Sequence, residues 1–410
     1  MGIKNNMPEG WKITFLSEVT NYLRRGITPK YCENESIFII NQRCIRDNKV
    51  TLLNARFHDL SLKDVGDEKR LKFGDILICS TGVGTLGRVA QYKLNNTLAT
   101  VDSHVTIVRP NDNICKLFLG LLLSGKEREI EFLAEGTTGQ TELPRTSLGL
   151  LPINLPPLSE QKAIAKVLTA FDDKIELLQA QNKTLETMAQ TFFKEWFGKH
   201  QIGDELPEGW KVGKLDEVIS ICGGSTPSTK NPDFWGGKIN WSSPKDLSNS
   251  KGIFLLKTEK KITKEALKKI SSGLLPKGTL LLSSRAPVGY LSITQIELAI
   301  NQGYIALLPQ QYLSNNYMYL WLDKYMQVVK NAANGSTFLE ISKTAFRNIE
   351  CIIPSQDILE KFDKIIEPIF SKVLYNTKQI QSLTKTRDTL LPKLMSGQVR
   401  VNNIKQTEDA

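Results

Sequence analysis

Histidine is scarce in this chain: there are three in 410 residues, at positions 58, 104 and 200. They form no ligand cluster, and the six cysteines, at 32, 44, 79, 115, 222 and 351, are scattered without CxxC spacing. This excludes a zinc motif and a disulfide framework, and it points to a reducing cytoplasm. The P-loop pattern GxxxxGK[ST] is absent. The carboxylates show no paired spacing for acid–base work, and so few histidines leave a Ser–His–Asp arrangement without support. The longest apolar run, residues 117–123, is interrupted by Gly120, well short of the roughly 20 residues that cross a bilayer. The first residues also lack a signal peptide's apolar stretch. What is present is ordinary globular composition, length for two or three domains, and a net charge of +10, which suits a polyanionic partner. The chain therefore reads as non-catalytic, with no metal or cofactor of its own.

The strongest pattern lies in residues 159–197. Ile164, Leu168, Phe171, Ile175, Leu178, Asn182, Leu185, Ala189, Phe192 and Trp196 are spaced at alternating steps of four and three, the seam of a long helix packed on another helix. Ser159 suits the N-cap and Gly198 the stop, giving a rod of about 50 to 60 Å. About 200 residues later the seam returns as Phe362, Ile366, Ile369, Val373, Asn376, Ile380, Leu383, Arg387, Leu390 and Leu394, opened by Ser355 and closed by Gly397. One antiparallel register sets Asn182 against Asn376, Ile164 against Leu394 and Trp196 against Phe362. A buried Asn pair of this kind costs stability and fixes register. Pro368 predicts a kink or a lost hydrogen bond, and Pro392 predicts a last regular turn near Leu391.

The rest of the chain also occurs twice. Met7-Pro-Glu-Gly-Trp11-Lys12 recurs as Leu206-Pro-Glu-Gly-Trp210-Lys211, and Gly26-Ile-Thr-Pro29 as Gly224-Ser-Thr-Pro227. Phe73-Gly-Asp-Ile-Leu-Ile-Cys-Ser80 recurs as Lys277-Gly-Thr-Leu-Leu-Leu-Ser-Ser284. Each copy is a globular α+β part of about 150 residues leading into a long helix. Strands are expected over 75–80, 105–108, 279–284 and 305–308, and helices over 116–135 and 316–333. Trp11 and Trp210 read as packing residues. The copies differ most in polar, basic and aromatic loop residues: Lys30-Tyr31 and Ile40-Asn-Gln-Arg-Cys-Ile-Arg46 in the first, Ser228-Thr-Lys230 and Trp241-Ser-Ser-Pro-Lys-Asp246 in the second. Variable polar loops on a shared frame suit base recognition.

Gly82-Val-Gly84-Thr-Leu-Gly87 matches GxGxxG. The next residues, Arg88-Val-Ala-Gln-Tyr92, are strand-like, and the second copy reads Arg285-Ala-Pro-Val-Gly289. A tight turn between strands therefore explains the motif better than a nucleotide site. Asn231-Pro-Asp-Phe234 departs from the Asn-Pro-Pro-Phe loop of amino-methyltransferases and is set aside.

Taken in order, these motifs resemble the specificity (S) subunit of a type I restriction–modification enzyme. The resemblance rests on Pro-Glu-Gly-Trp-Lys at both unit starts, Gly224-Ser-Thr-Pro-Ser with Phe234-Trp-Gly-Gly and Trp241, and Gly-Asp-Ile-Leu at 74–77. Asn301-Gln-Gly303, Leu155-Pro-Pro-Leu-Ser-Glu-Gln161 and Leu391-Pro-Lys-Leu-Met-Ser-Gly397 add to it. The first copy departs with Asp102-Ser-His104, and the second with Ile353-Pro-Ser-Gln-Asp357.

The resemblance implies an α+β fold of two similar DNA target recognition domains, separated by an antiparallel pair of long coiled-coil helices in a pseudo-twofold arrangement. The domains are expected at 1–157 and 201–354, the spacer helices at 158–200 and 355–400, and a disordered tail at 401–410. Each domain would read half of a split site in double-stranded DNA. Two modification (methyltransferase) subunits and the restriction (translocase–nuclease) subunits would be the partners, carrying S-adenosylmethionine, ATP and Mg. Candidate DNA-binding residues in the first unit are Thr28, Lys30, Tyr31, Asn41, Gln42, Arg43, Arg46, Thr81, Thr85, Arg88, Thr137, Thr138 and Gln140. Those in the second are Thr226, Ser228, Lys230, Trp241, Ser243, Lys245, Arg285, Tyr290, Ser336 and Thr337. Three rival readings remain: a self-contained methyltransferase or nuclease with a built-in reader, which would need a cofactor loop not found here; a coiled-coil scaffold that binds no DNA; and the specificity subunit of a related bipartite system with a fused nuclease–methyltransferase partner.

Overall fold

The computed structural model describes residues 7–34, 36–136, 141–250, 252–310, 312–335 and 339–401. The chain divides into two compact units, one formed by residues up to Ile175 together with those from Leu383 on, the other by Glu176–Ser382. Two 40-residue helices, Leu158–Phe197 and Gln356–Met395, each contribute to both units. The first helix begins one residue ahead of the expected cap.

In the first unit the strand Lys12–Phe15 pairs antiparallel with Pro152–Leu155 at the foot of the first long helix. An antiparallel sheet runs Thr20–Arg25, Val105–Pro110, Ile76–Cys79, Val89–Gln91. A second sheet runs Ala99–Val101, Ile37–Ile40, Arg56–His58, Tyr31–Cys32, its first pair parallel. Ile76–Cys79 is buried along its whole length, as a Gly-bounded apolar run demands of a strand covered on both faces. The second unit repeats the plan. Lys211–Lys214 pairs with Glu350–Ile353, and a five-stranded sheet is centred on Leu280–Ser283. The third sheet is Lys260–Ile262, Trp235–Ser242, Leu298–Ile300.

The segment expected as one helix over 116–135 is two, Lys116–Ser124 and Glu127–Phe132. At the start of the second piece Glu127 Oε1 accepts the Val89 N–H at 2.7 Å and Asn48 Nδ2 at 3.0 Å. The second copy likewise splits into Asn315–Lys324 and Met326–Asn331.

Within each unit the long helices run antiparallel. In the first, Ile164, Leu168 and Leu394 share one core, and seam residue Arg387 reaches Asp172 Oδ1 at 2.6 Å. In the second, Asn376 Nδ2 donates to Asn182 Oδ1 at 2.9 Å, and the Trp196 and Phe362 rings lie 5.8 Å apart. Past Ala189 the buried positions of the first helix become Phe193 and Phe197 in place of Phe192 and Trp196. They drift off the strict seam because a straight helix turns every 3.6 residues, not 3.5. The second helix continues through Pro368 and through Pro392 to Met395, so the expected stop near Leu391 is not found. Each proline removes one N–H, but Leu394 is buried in the core and Ser396 N–H closes on the Pro392 carbonyl at 3.0 Å. Packing outweighs the missing bond. Beyond the helix Val401 packs against the first core, and the remainder of the expected tail lies outside the described residues.

Trp11 packs as expected. It is buried, its indole N–H donates to Glu160 Oε2 at 3.0 Å, and Arg400 closes on the same carboxylate at 2.7 Å. Trp210 packs between Phe197 and His200. Among the described residues no helix is long and apolar enough to cross a membrane.

Candidate nucleic-acid interface

In each unit three loops converge on one turn, and the same main-chain bonds build both. The turn is Asp102-Ser103-His104 in the first unit, where Asp102 Oδ1 accepts the His104 N–H at 2.9 Å. In the second it is Asn301-Gln302-Gly303, where Asn301 Oδ1 accepts the Gly303 N–H at 2.8 Å. Asp and Asn perform the same Asx turn, so the sequence departure here preserves the geometry.

The first loop is Gly-x-Thr-Pro. The Ile27 N–H donates to Val101 O at 3.0 Å, and the Ser225 N–H to Ile300 O at 3.0 Å. A methyl group on Gly26 or Gly224 would collide with those same carbonyls, so glycine is required for the close approach. The second loop comes after Ile40 and Ser242, whose carbonyls accept the Asp102 and Asn301 N–H groups at 3.1 and 3.0 Å. Asn41 and Ser243 then sit at the N-caps of Gln42–Cys44 and Pro244–Asn249. The third loop leaves the strands Ile76–Cys79 and Leu280–Ser283. Ser80 N–H reaches His104 O at 2.8 Å, and Ser284 N–H reaches Gly303 O at 2.9 Å. Thr81 and Arg285 then form isolated bridges to Glu142 and Glu340.

The side chains placed on this common frame differ. In the first unit Gln42 Nε2 donates to Thr81 Oγ1 at 3.3 Å, and Thr81 Oγ1 meets His104 Nδ1 at 2.8 Å. Arg43, next to Gln42, is exposed. Exposed Thr28 and Lys30 lie on the first loop, and the Arg56 guanidinium stacks 3.5 Å over the half-exposed Tyr31 ring. Buried His58 holds this loop from behind: Nδ1 accepts the Lys30 N–H at 2.8 Å, which leaves Nε2–H to donate to Lys63 O at 2.8 Å. Burial raises the Asp102 pKa, opposed by the His104 N–H; burial, then the Asp102 charge, raises that of Tyr31. In the second unit Thr226 Oγ1 donates to Gln302 Oε1 at 2.6 Å, and Ser228 and Lys230 are exposed. Burial pushes the thiols of Cys79 and Cys351 up to about 12, so neither is a nucleophile near neutral pH.

The sequence of both units matches the family described as type I restriction modification DNA specificity domain, over residues 8–187 and again over 207–385. This chain belongs to that family. Among its relatives, the type I restriction enzyme HindI specificity subunit of Haemophilus influenzae is 26% identical over 86% of this chain and 93% of that protein. The MjaIX specificity subunit of Methanocaldococcus jannaschii is 38% identical over 43% of this chain and 42% of that protein. The fold matches that of a type I restriction–modification S subunit from M. genitalium, with a TM-score of 0.62 at 19% identity over 96% of this chain and 98% of that one.

Several candidates in this type I specificity chain take structural places instead. Trp241 is 4% exposed and packs with Ile262, Ala266 and Ala299, so it is a core residue. Asn41 commits its amide to the Arg43 N–H and the Asn54 carbonyl. Thr85 bonds the Thr81 carbonyl, and Arg88 donates to the Gly84 carbonyl at 2.7 Å; both hold the glycine turn, which joins antiparallel strands. Ser243 N–H is capped by Asp246. Lys245 pairs with Glu259 at 2.9 Å, and Arg285 lies 3.8 Å from Glu340. Arg46 and Tyr290 are exposed. Thr137, Thr138, Gln140, Ser336 and Thr337 lie outside the described residues. Sequence reasoning missed His104, Gln302, Arg56 and His58. The first two were legible in the repeat itself, as the positions where the two copies of one turn diverge.

Proposed function

We propose that this chain is the non-catalytic reading subunit of a type I restriction–modification complex in the cytoplasm, each unit reading one half of a split duplex site. The supporting observation is the pair of loop clusters: one main-chain frame carries Gln42, Thr81 and His104 in the first unit and Thr226 and Gln302 in the second. Amide, hydroxyl and imidazole groups on rigid loops suit the donor–acceptor pattern of the major groove. Exposed Lys30 and Lys230 suit phosphates. Arg43, Arg46, Thr28, Tyr31, Ser228 and Tyr290 complete the set proposed to touch DNA.

In this reading the chain directs two modification subunits, which carry S-adenosylmethionine, and restriction subunits, which use ATP and Mg. Base-resolution mapping of methylation in cells with and without the gene tests it. One two-part motif should vanish with the gene. Methylation unchanged by deletion would refute the reading. Co-purification with separate methyltransferase and nuclease chains, against one fused chain, distinguishes type I from the related bipartite system.

A further inference from the structure

The first unit contains a cleft of about 340 Å³ lined by Arg24, Arg25, Lys69, Arg145 and Glu142. Arg25 is fixed in it: Nη1 lies 2.7 Å from Glu142 Oε1, and Nη2 donates to the Leu143 carbonyl at 3.2 Å. That pair neutralises the lining carboxylate. Among the described residues Arg24, Lys69 and Arg145 have no ion-pair partner. Three unpaired cations around one space repel one another, and the repulsion falls when an anion enters.

A second observation concerns Tyr22, two residues before Arg24 on the strand Thr20–Arg25, hence on the same face. Its hydroxyl is buried without a hydrogen-bond partner. Burial, then the Glu68 carboxylate, raises its pKa, while Arg109, Arg24 and Arg145 oppose. It therefore stays a neutral O–H donor in the field of the cleft's arginines.

The cleft adjoins the loops of the candidate interface. Arg24 and Arg25 end the strand that leads into Gly26–Thr28, and Glu142 bridges to Thr81. Among the described residues the second unit does not repeat this lining. The strand positions matching Arg24 and Arg25 are Cys222 and Gly223, and Lys343 stands where Arg145 does, near enough to Gly223 that an added methyl carbon would lie 3.4 Å from its Nζ.

We propose that this cleft seats a phosphodiester of the DNA backbone beside the half-site read by the first unit. The inference rests on the DNA-reading function proposed for the chain. It makes the two units unequal: the first carries a dedicated backbone anchor, the second a single lysine.

The test is duplex binding by the full chain with its methyltransferase partner, using a fluorescent duplex carrying the mapped motif, titrated from about 50 to 200 mM salt. Arg24→Gln with Arg145→Gln should weaken binding about tenfold or more and lower the log–log salt slope by about one. Glu142→Gln, which frees Arg25, should tighten binding and steepen the slope. Circular dichroism checks that both variants fold. An unchanged slope in both would overturn the proposal while leaving the reading function standing, since that function fails only if the parent complex does not bind. Calorimetry with inorganic phosphate is the second arm. Phosphate binding that the double variant loses, with its DNA slope unchanged, would assign the cleft to a free anion and overturn the DNA assignment.

Discussion

Asn376 Nδ2 donates to Asn182 Oδ1 at 2.9 Å, and Asn182 Nδ2 in turn reaches Thr377 Oγ1 at 3.3 Å. The layer is lopsided: Asn376 is fully buried and its own Oδ1 has no partner. It is therefore costly, and its use is to reject other alignments of the two helices. Replacing both residues, Asn182→Leu with Asn376→Leu, should raise stability by about 1 to 3 kcal/mol. Asn376→Leu alone should fall below the double variant, because Asn182 loses its donor. Denaturant melts of the three chains check this, and a double variant melting below the parent would contradict it.

Gly26 on the first loop and Gly84 on the glycine turn allow a sharp comparison. Gly26→Ala forces a methyl onto the Val101 carbonyl and should cost about 2 to 3 kcal/mol. Gly84 has φ of +70° but open space around it, so Gly84→Ala carries only the left-handed backbone cost of about 1 to 2 kcal/mol. Equal losses in urea unfolding would show that the close approach is unimportant.

Glu160 gives a pH signature. The Arg400 hydrogen bond, aided by Trp11 and opposed by burial, lowers its pKa. A lowered folded value contributes stability above the unfolded carboxyl value, about 4.3, which is lost as pH falls through the folded value. Glu160→Leu also strands the Trp11 N–H, and should cost about 2 kcal/mol at pH 7. The gap between parent and variant should narrow as pH falls below about 4. Tryptophan fluorescence melts across pH measure it, and a gap constant from neutral to acid would refute the assignment.

At the proposed interface, Arg43→Ala should relax one base position of the mapped motif by about 1 to 3 kcal/mol. Lys230→Ala should weaken all sequences evenly and lower the salt slope by about one. Methylome mapping reads the first and salt titration the second. The opposite pattern would exchange their roles.

Much of this architecture is legible in the residues. The Asn182 and Asn376 pairing is readable because a polar residue in an apolar seam has few registers in which it finds a partner. The glycine turn at 82–87 is readable because the other copy tolerates proline there. What stays hidden depends on contacts distant in sequence. Glu127 is held by Val89 and Asn48, which reach it from other elements. Leu394 carries the second helix past Pro392 through the core it shares with Ile164. Trp241 reads as a loop residue in the sequence because local pattern does not reveal that Ile262 and Ala299 cover it. The cationic cleft draws on residues 24, 69 and 145, which no local window connects.

The start of the loop after Gly26 is tethered through its own peptide groups: the Gly26 N–H to Val105 O at 3.1 Å and the Ile27 N–H to Val101 O at 3.0 Å, and even where His58 holds it, the loop offers only the Lys30 N–H. A tether made of peptide groups is indifferent to the side chains it carries. New lettering can therefore be written into the loop without retuning the body beneath it, provided the glycine stays. In such a chain, taste for a new target can change by a few substitutions, and the skeleton that presents it need not change at all.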